Sequence, residues 1–263
     1  MIGRRAFVAG ATLVACTPGP SAPMIESAEK RVADIESEIG GRIGLCALAT
    51  GDGARIVHRA EERFAMCSTF KWMLVAAIGA RVTRGWIEFD DSVAAQCDAV
   101  IVESDNVAAN ALLKRAGGPS GLTAWLRTTG DDTTRVDREE PALNENGPGD
   151  PRDTTTPSAM VRSMKNILLG DVVEERFRTR IQDDMKKCET GKKRLRAGFP
   201  KAWIVGDKTG TGEHGAVNDV AIVWRKYHSP ILIACFTTEV KADLDAVEMA
   251  HTRIARIVAE VFG

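Results

Sequence analysis

The chain of 263 residues lacks several features that would assign it to a class of protein at once. Its formal net charge is −1, so it has no excess of basic residues to attract nucleic acid. Its histidines show neither H-x-H nor H-x-x-x-H spacing and do not pair with cysteines as zinc ligands; they are His58, His214, His228 and His251. We therefore expect no nucleic-acid partner and no metal site.

Long hydrophobic runs are also missing. The apolar run over residues 6–15 is too short to cross a bilayer, but it follows two arginines and suits an export signal. Residues 3–8 are similar to a twin-arginine signal. The text before Cys16 resembles a lipobox, in which that cysteine would be lipidated and anchor the chain to a membrane; ordinary cleavage near Ala22 is the alternative. We expect residues 1–23 to be a signal peptide and tether, and the protein to be exported to the periplasm or cell envelope.

Patterns of apolar residues predict helices and strands at both ends of the chain and mostly helices between them. Helical spacing occurs over residues 25–39, 71–82, 105–115, 121–128, 157–169, 174–187 and 243–261. Strands are predicted over residues 42–49, 54–58, 203–208, 216–225 and 230–237. Residues 129–156, between the helices predicted over residues 121–128 and 157–169, form a polar stretch with little periodicity. A loop of this length inside a compact domain is usually functional.

This order of elements predicts an α/β (α+β) fold. Residues 24–60 and 190–263 would together form an antiparallel sheet flanked by helices, and residues 61–189 would form an all-helical subdomain. The active site would lie in the cleft between the two. A hydrophobic content of 44% and a charged content of 27% are ordinary for such a globular protein.

Ser68 and Lys71 carry the first sign of chemistry. They are three residues apart at the start of a predicted helix, which places both side chains on one face. A serine hydroxyl is a poor nucleophile unless a base takes its proton, and Lys71 could be that base if burial lowered its pKa. It could equally stay charged and orient the hydroxyl. Taken alone, the sequence of residues 68–71 also fits a helix N-cap followed by a solvated lysine.

Three further motifs follow in order: Ser104-Asp105-Asn106, Glu140-Pro141-Ala142-Leu143-Asn144 and Lys208-Thr209-Gly210. The set S-x-x-K, S-D-N and K-T-G is typical of class A β-lactamases and penicillin-binding proteins. From about Ser27 to its end, the chain resembles the class A serine β-lactamases. The resemblance implies hydrolysis of β-lactam antibiotics through an acyl-enzyme on Ser68, without a metal or organic cofactor.

The resemblance also implies roles for the residues of the second and third motifs. Ser104 would pass a proton to the leaving lactam nitrogen, and Asn106 would hold Lys71 and bind the side-chain amide of the substrate. Glu140 and Asn144 would position the water that hydrolyses the acyl-enzyme. Whether Lys71 or Glu140 is the base for acylation stays open.

The last motif is expected to meet the carboxylate of the substrate. Lys208, Thr209 and the hydroxyl of Thr211 would bind it, and Gly210 lets the strand lie close to the ligand. The amide of Thr211 would join that of the nucleophile in an oxyanion hole. Arg194 matches a place where relatives carry an arginine for the same anion, and a plain surface arginine is the alternative.

The sequence departs from the family between Ser68 and Ser104, which are 36 positions apart. This interval is clearly shorter than in typical members, in which the connection after the nucleophile helix carries a loop that walls the cleft. Residues 85–95 must make the whole return here, with room for one short turn. We expect a more open cleft.

Two cysteine bridges known in relatives have no partner in this chain. The position that would pair with Cys67 is Gly212, and the position that would pair with Cys97 is Val75. We therefore expect mostly buried, unreactive thiols. We also expect a monomer, and we retain two alternatives for the function: a D,D-peptidase-like enzyme, and a non-hydrolytic lipoprotein that binds or senses β-lactams.

Overall fold

The computed structural model describes residues 19–263. The predicted export signal and Cys16 lie outside these residues. Ala22 and Pro23, which we expected in the tether, form the first turn of helix α1, Ala22–Ile39. Among the described helices, none is long and apolar enough to cross a membrane.

A sheet of five antiparallel strands forms the centre of the molecule, as the sequence predicted. Its strands are β1 Arg42–Ala49, β2 Arg55–His58, β5 Ile204–Thr211, β6 Val217–Trp224 and β7 Ile231–Thr238, in the spatial order β2-β1-β7-β6-β5. Two short strands, β3 Phe64–Ala65 and β4 Thr154–Thr155, pair separately. The predicted fold class is confirmed.

Helices cover both faces of the sheet. Helix α1 and the C-terminal helix α9, Leu244–Phe262, pack on one face. On the other side lie α2 Lys71–Thr83, α3 Asp91–Val102, α4 Asn106–Arg115, α5 Gly118–Thr128, α6 Pro157–Met164 and α7 Glu175–Lys187, and the short α8 Leu195–Gly198 precedes β5. Because side chains alternate along a strand, β1 contributes to the hydrophobic core on each face of the sheet. Leu45 packs in the core beneath α1 and α9, and Cys46 packs in the larger core that contains α2.

Helix α2 passes through the middle of the larger core. All of its residues from Lys71 to Ala80 are buried. A helix that is apolar all round can be stable only when other elements enclose it. This enclosure explains why Lys71, in the first turn of the helix, is fully removed from water.

Helix α3 was missed in the sequence, where residues 85–95 were expected to form a short turn. Asp90 caps this helix, because its carboxylate accepts a hydrogen bond from Val93 N at 2.8 Å. Val93, Cys97 and Ile101 lie on its buried face. The turn is therefore confined to residues 84–90, and the return to Ser104 is made by a helix. The helix predicted over residues 157–169 also differs, since its last five residues are π-helical.

At Gly79, helix α2 packs closely against Phe177 of α7. A Cβ atom at this position would lie 2.6 Å from Cγ of Phe177 and 2.9 Å from its Cβ. Both atoms are near the backbone of α7, so the contact cannot be relieved by a small rotation. The glycine therefore sets the distance between the two helices.

Replacing Gly79 with alanine should lower the free energy of unfolding by about 1–3 kcal/mol, because it overpacks this contact. Inside an exposed helix the same change would instead stabilise the protein by about 1 kcal/mol. Urea denaturation measures the difference. In a Phe177→Leu background the loss should shrink, and a Gly79→Ala variant as stable as the wild type would contradict this packing.

Candidate active site

Ser68 lies in a 3₁₀ turn, Cys67–Phe70, that leads directly into α2. Cys67 has a φ of +47°, which is rare for a residue other than glycine and stores local strain beside the predicted nucleophile. The opposite wall is β5. A Cβ atom at Gly210 would lie 2.6 Å from Met66 O and 3.1 Å from Ser68 N. Only glycine allows the strand to approach this turn so closely.

The carboxylate of Glu140 reaches the hydroxyl of Ser68 directly. Ser68 Oγ donates a hydrogen bond to Glu140 Oε1 at 3.0 Å. Lys71 Nζ lies 3.0 Å from the same oxygen, and Asn144 Nδ2 donates to the other oxygen, Oε2, at 2.6 Å. Four residues that the sequence singled out in two distant motifs therefore meet around one buried carboxylate.

Lys71 is fully buried at the start of α2. Besides Glu140, its ammonium group donates to Ser104 O at 2.7 Å and to Asn106 Oδ1 at 2.6 Å. Burial lowers the pKa of Lys71, because the charged form loses its hydration, and the nearby carboxylate of Glu140 opposes this shift. Its three close acceptors match the three N–H bonds of an ammonium ion.

Ser104 lies between two buried lysines. Its hydroxyl accepts a hydrogen bond from Lys208 Nζ at 2.8 Å and is 3.4 Å from Lys71 Nζ. Its φ of +63° places it in the left-handed region, just before the first turn of α4. Asp105 caps that helix, because its carboxylate accepts a hydrogen bond from Ala108 N at 2.6 Å.

Lys208 is also fully buried, near the middle of β5. Desolvation lowers its pKa to about 8, and the positive charge of Lys71 acts in the same direction. Lys208 therefore loses its charge at a pH of about 8, whereas an ordinary lysine loses it near 10.5. Two neighbouring cations in one dry site make a strong attractor for an anion.

Asn110 was missed in the sequence analysis. Its side chain forms two hydrogen bonds with the backbone of Glu140: Nδ2 donates to Glu140 O at 2.8 Å, and Oδ1 accepts from Glu140 N at 2.9 Å. This paired contact fixes the long loop to α4. The sequence held one indication of this role. Asn110 follows Asn106 by four residues, which places both side chains on the same face of α4.

The base of the long loop is closed by Asp153. Its carboxylate accepts from Arg138 Nε at 2.6 Å and from the amides of Asp137 and Arg138 at 2.7 and 3.0 Å. Together with the Asn110 clamp, this contact leaves Glu140 little freedom to move.

Arg194 is buried and is engaged by the protein rather than free in the cleft. It donates to Gly210 O at 3.0 Å, Asn218 O at 2.8 Å and Thr211 Oγ1 at 2.8 Å, and Nε contacts Glu248 at 3.3 Å. It therefore fixes the end of β5 and orients the hydroxyl of Thr211. A direct contact with a substrate carboxylate stays a prediction.

Comparisons with known proteins show the family to which the chain belongs. A family model described as the β-lactamase enzyme family matches residues 92–262. β-Lactamase CTX-M-97 of Escherichia coli is 36% identical over 260 residues, covering 90% of this chain and 89% of the relative. β-Lactamase FAR-1 of Nocardia farcinica is 39% identical over 253 residues, covering 86% and 81%. The chain belongs to the class A β-lactamases.

Solved structures give the same result for the fold. A β-lactamase from Xanthomonas campestris superposes with a TM-score of 0.89 at 38% identity, covering 91% of this chain and 99% of that one. The reconstructed last common ancestor of the class A β-lactamases of Gram-negative bacteria has a TM-score of 0.88 at 45% identity, covering 90% and 100%. The protein is thus a serine β-lactamase, a hydrolase of β-lactam antibiotics.

All five described cysteines of the lactamase are free and buried, as predicted from the missing partners. Cys67 Sγ would lie 2.7 Å from a Cβ atom at Gly212, so the glycine leaves room for the thiol. Burial raises the pKa of Cys67 to about 12 and that of Cys46 to about 11. These thiols are therefore poor nucleophiles at neutral pH.

Replacing Gly210 with alanine should slow acylation by about 100-fold or more, because the new Cβ moves β5 away from the amide of Ser68 and opens the predicted oxyanion hole. Stopped-flow kinetics with a chromogenic cephalosporin measures this rate. The matched control is Gly206→Ala in the same strand, whose Cβ would lie 3.1 Å from Met185 Cβ and 3.3 Å from Lys186 N, a looser contact than the 2.6 Å contact at Gly210. An equal loss in both variants would mean that β5 as a whole is disturbed and would contradict the local explanation.

Proposed function

We propose that the lactamase opens β-lactam rings through an acyl-enzyme on Ser68, which a water activated by Glu140 then hydrolyses. One observation carries this proposal: Glu140 Oε1 lies 3.0 Å from both Ser68 Oγ and Lys71 Nζ. A carboxylate in this position can accept the proton of the nucleophile and, later, that of water.

The hydrogen bonds favour Glu140 over Lys71 as the base for acylation. The hydroxyl of Ser68 donates to the carboxylate directly. The ammonium of Lys71 already donates to Glu140 Oε1, Ser104 O and Asn106 Oδ1, which uses all of its protons and indicates a charged lysine. Lys71 would then stabilise the carboxylate before the reaction and move a proton towards Ser104 during it.

Ser104 completes the first half of the reaction. Ser68 Oγ forms a bond to the lactam carbonyl carbon, the carbonyl oxygen is stabilised by the amides of Ser68 and Thr211, and the C–N bond breaks. The nitrogen takes the proton of the Ser104 hydroxyl, which is replaced by one from Lys71. The bond from Lys208 to Ser104 Oγ, at 2.8 Å, supports this direction of donation.

The second half follows from the loss of one hydrogen bond. After acylation, Glu140 passes the proton that it took from Ser68 to Lys71, 3.0 Å away, which restores the carboxylate and replaces the proton that Lys71 gave to Ser104. Ser68 Oγ carries no proton and no longer donates to Glu140, so the carboxylate is free to accept from a water molecule. Asn144 holds the other carboxylate oxygen at 2.6 Å. The water gives its proton to Glu140, its oxygen attacks the ester carbonyl, and the proton returns to Ser68 as the acid product leaves.

We assign substrate binding to the residues around this centre. Lys208, Thr209 and Thr211 would bind the carboxylate of the β-lactam, with the Thr211 hydroxyl oriented by Arg194. Asn106 would bind the side-chain amide. We also propose that the enzyme acts as a monomer after export, either free in the periplasm or anchored through a lipid on Cys16.

Replacing Glu140 with glutamine should slow acylation and trap the acyl-enzyme once it has formed, because an amide can take the proton of neither Ser68 nor the hydrolytic water. Intact-protein mass spectrometry after addition of benzylpenicillin should show a stable adduct of one penicillin, while turnover falls by about 100-fold or more. The exposed neighbour provides the control, since Glu139→Gln should hydrolyse like the wild type. Unchanged turnover in the Glu140 variant would reject the mechanism, and a wild type that keeps one adduct without turnover would favour the sensor.

The value of kcat/KM should fall as the pH rises above about 8. Lys208 has a pKa near 8 and is needed as a cation for the substrate carboxylate, so its charge is present below this pH and lost above it. A pH profile with benzylpenicillin measures the descending limb. Lys208→Arg keeps the charge and should move that limb to higher pH; an unchanged limb would exclude Lys208 as its origin.

A further inference from the structure

One side of the cleft has no wall from the segment that joins α2 and α3. Helix α2 begins at the nucleophile and runs away from it for 13 residues, which is about 18–20 Å. Residues 84–90 turn the chain at this far end, and α3 returns over 12 residues to reach Ser104. The turn is therefore too distant to cover the site.

The aromatic residues of this turn are also committed elsewhere. The Trp86 ring lies 5.5 Å from the guanidinium carbon of Arg81 and 5.1 Å from that of Arg84. Phe89 packs edge-on against Phe177 of α7, with ring centroids 5.2 Å apart. No aromatic side chain of residues 84–90 is available to contact a substrate at Ser68.

The corner between α3 and α4 is correspondingly exposed. Glu103 and Asn106 are exposed, although Asn106 Oδ1 is bound to the buried ammonium of Lys71. Val107, the next residue, has 80% of its surface exposed. The apolar side chain of Val107, next to the active site, thus faces solvent. A group on a bound ligand could pass over it.

We infer that the lactamase tolerates β-lactams with a large amide side chain, and that this side chain leaves the cleft over Val107 into solvent. The inference rests on the proposed function, because it takes Asn106 as the contact for the substrate amide. A group attached beyond that amide lies beside residues 103–107 and meets no opposing wall from the α2–α3 turn. Size is then tolerated, and contacts with the side chain contribute little to binding.

The test compares two penicillins, benzylpenicillin and a penicillin that carries a fluorescent dye on its amide. For the wild-type enzyme the two values of kcat/KM should agree within about threefold, because a side chain left in water changes the transition state little. A loss of more than about tenfold for the dye-bearing penicillin would overturn the inference, since it would show that the cleft discriminates by size.

A new wall at Val107 should create such discrimination. Val107→Trp should lower kcat/KM for the dye-bearing penicillin by about tenfold relative to benzylpenicillin, because the indole occupies the exit. The control is Val172→Trp, which changes another exposed valine to tryptophan. Val172 lies just before α7, and Phe177 of that helix packs against Gly79 of α2, away from Ser68. This control should leave the ratio unchanged.

The outcomes separate this inference from the proposed function. Hydrolysis of benzylpenicillin with an unchanged ratio in the Val107→Trp variant would place the exit elsewhere and overturn only the inference. No hydrolysis of either penicillin by the wild type would reject the proposed function and the inference with it. Thermal unfolding checks that the variant is folded, and Val107→Phe replaces it if it is not.

Discussion

The site depends on the side-chain amine of one lysine that is removed from water. Lys71 lies at the first turn of a helix whose next residues are all buried, so its ammonium group cannot be hydrated. An unpaired charge in such a place would cost several kcal/mol. The side chain of Asn106, the carbonyl of Ser104 and the carboxylate of Glu140 replace the lost water. The three acceptors come from two other elements, so the need to satisfy one charge holds the catalytic groups together.

The same constraint explains why the surrounding backbone is specialised. Ser104, which has a positive φ angle, presents its carbonyl to Lys71 and its hydroxyl to Lys208, and Cys67, which also has a positive φ angle, directly precedes Ser68. Gly210 permits a strand to approach that nucleophile within a distance that any side chain would forbid. Strain and close approach of this kind are tolerated because the core around α2 and the network around Lys71 determine the geometry from all sides. The result is a preorganised site with little freedom in its catalytic groups.

Much of the fold and of the candidate site could be predicted because its signals are local. The Ser68–Lys71 spacing belongs to one helical turn, and the alternation of apolar residues in β1 and the continuous apolar run in β7 predict buried strands. Asn110 was missed because an asparagine in a helix has no distinctive pattern until its partner, the Glu140 backbone, is brought beside it. Helix α3 was missed because its polar start resembled a turn. The role of Arg194 was only partly foreseen, since its contacts with β5 and Glu248 join segments far apart in the chain.

The sequence by itself determined the types of chemical group, their order and the local element that carries each of them. It also determined that the α2–α3 connection is short and that the family cysteine bridges have no partners. Tertiary structure alone decided which groups touch: Ser68 and Glu140 are 72 residues apart, and Ser104 and Lys208 are 104 apart, yet each pair is hydrogen-bonded. It also decided where the cleft is left open. Such distances follow from how helices and strands pack around a shared core, and periodicity along the chain carries no information about them.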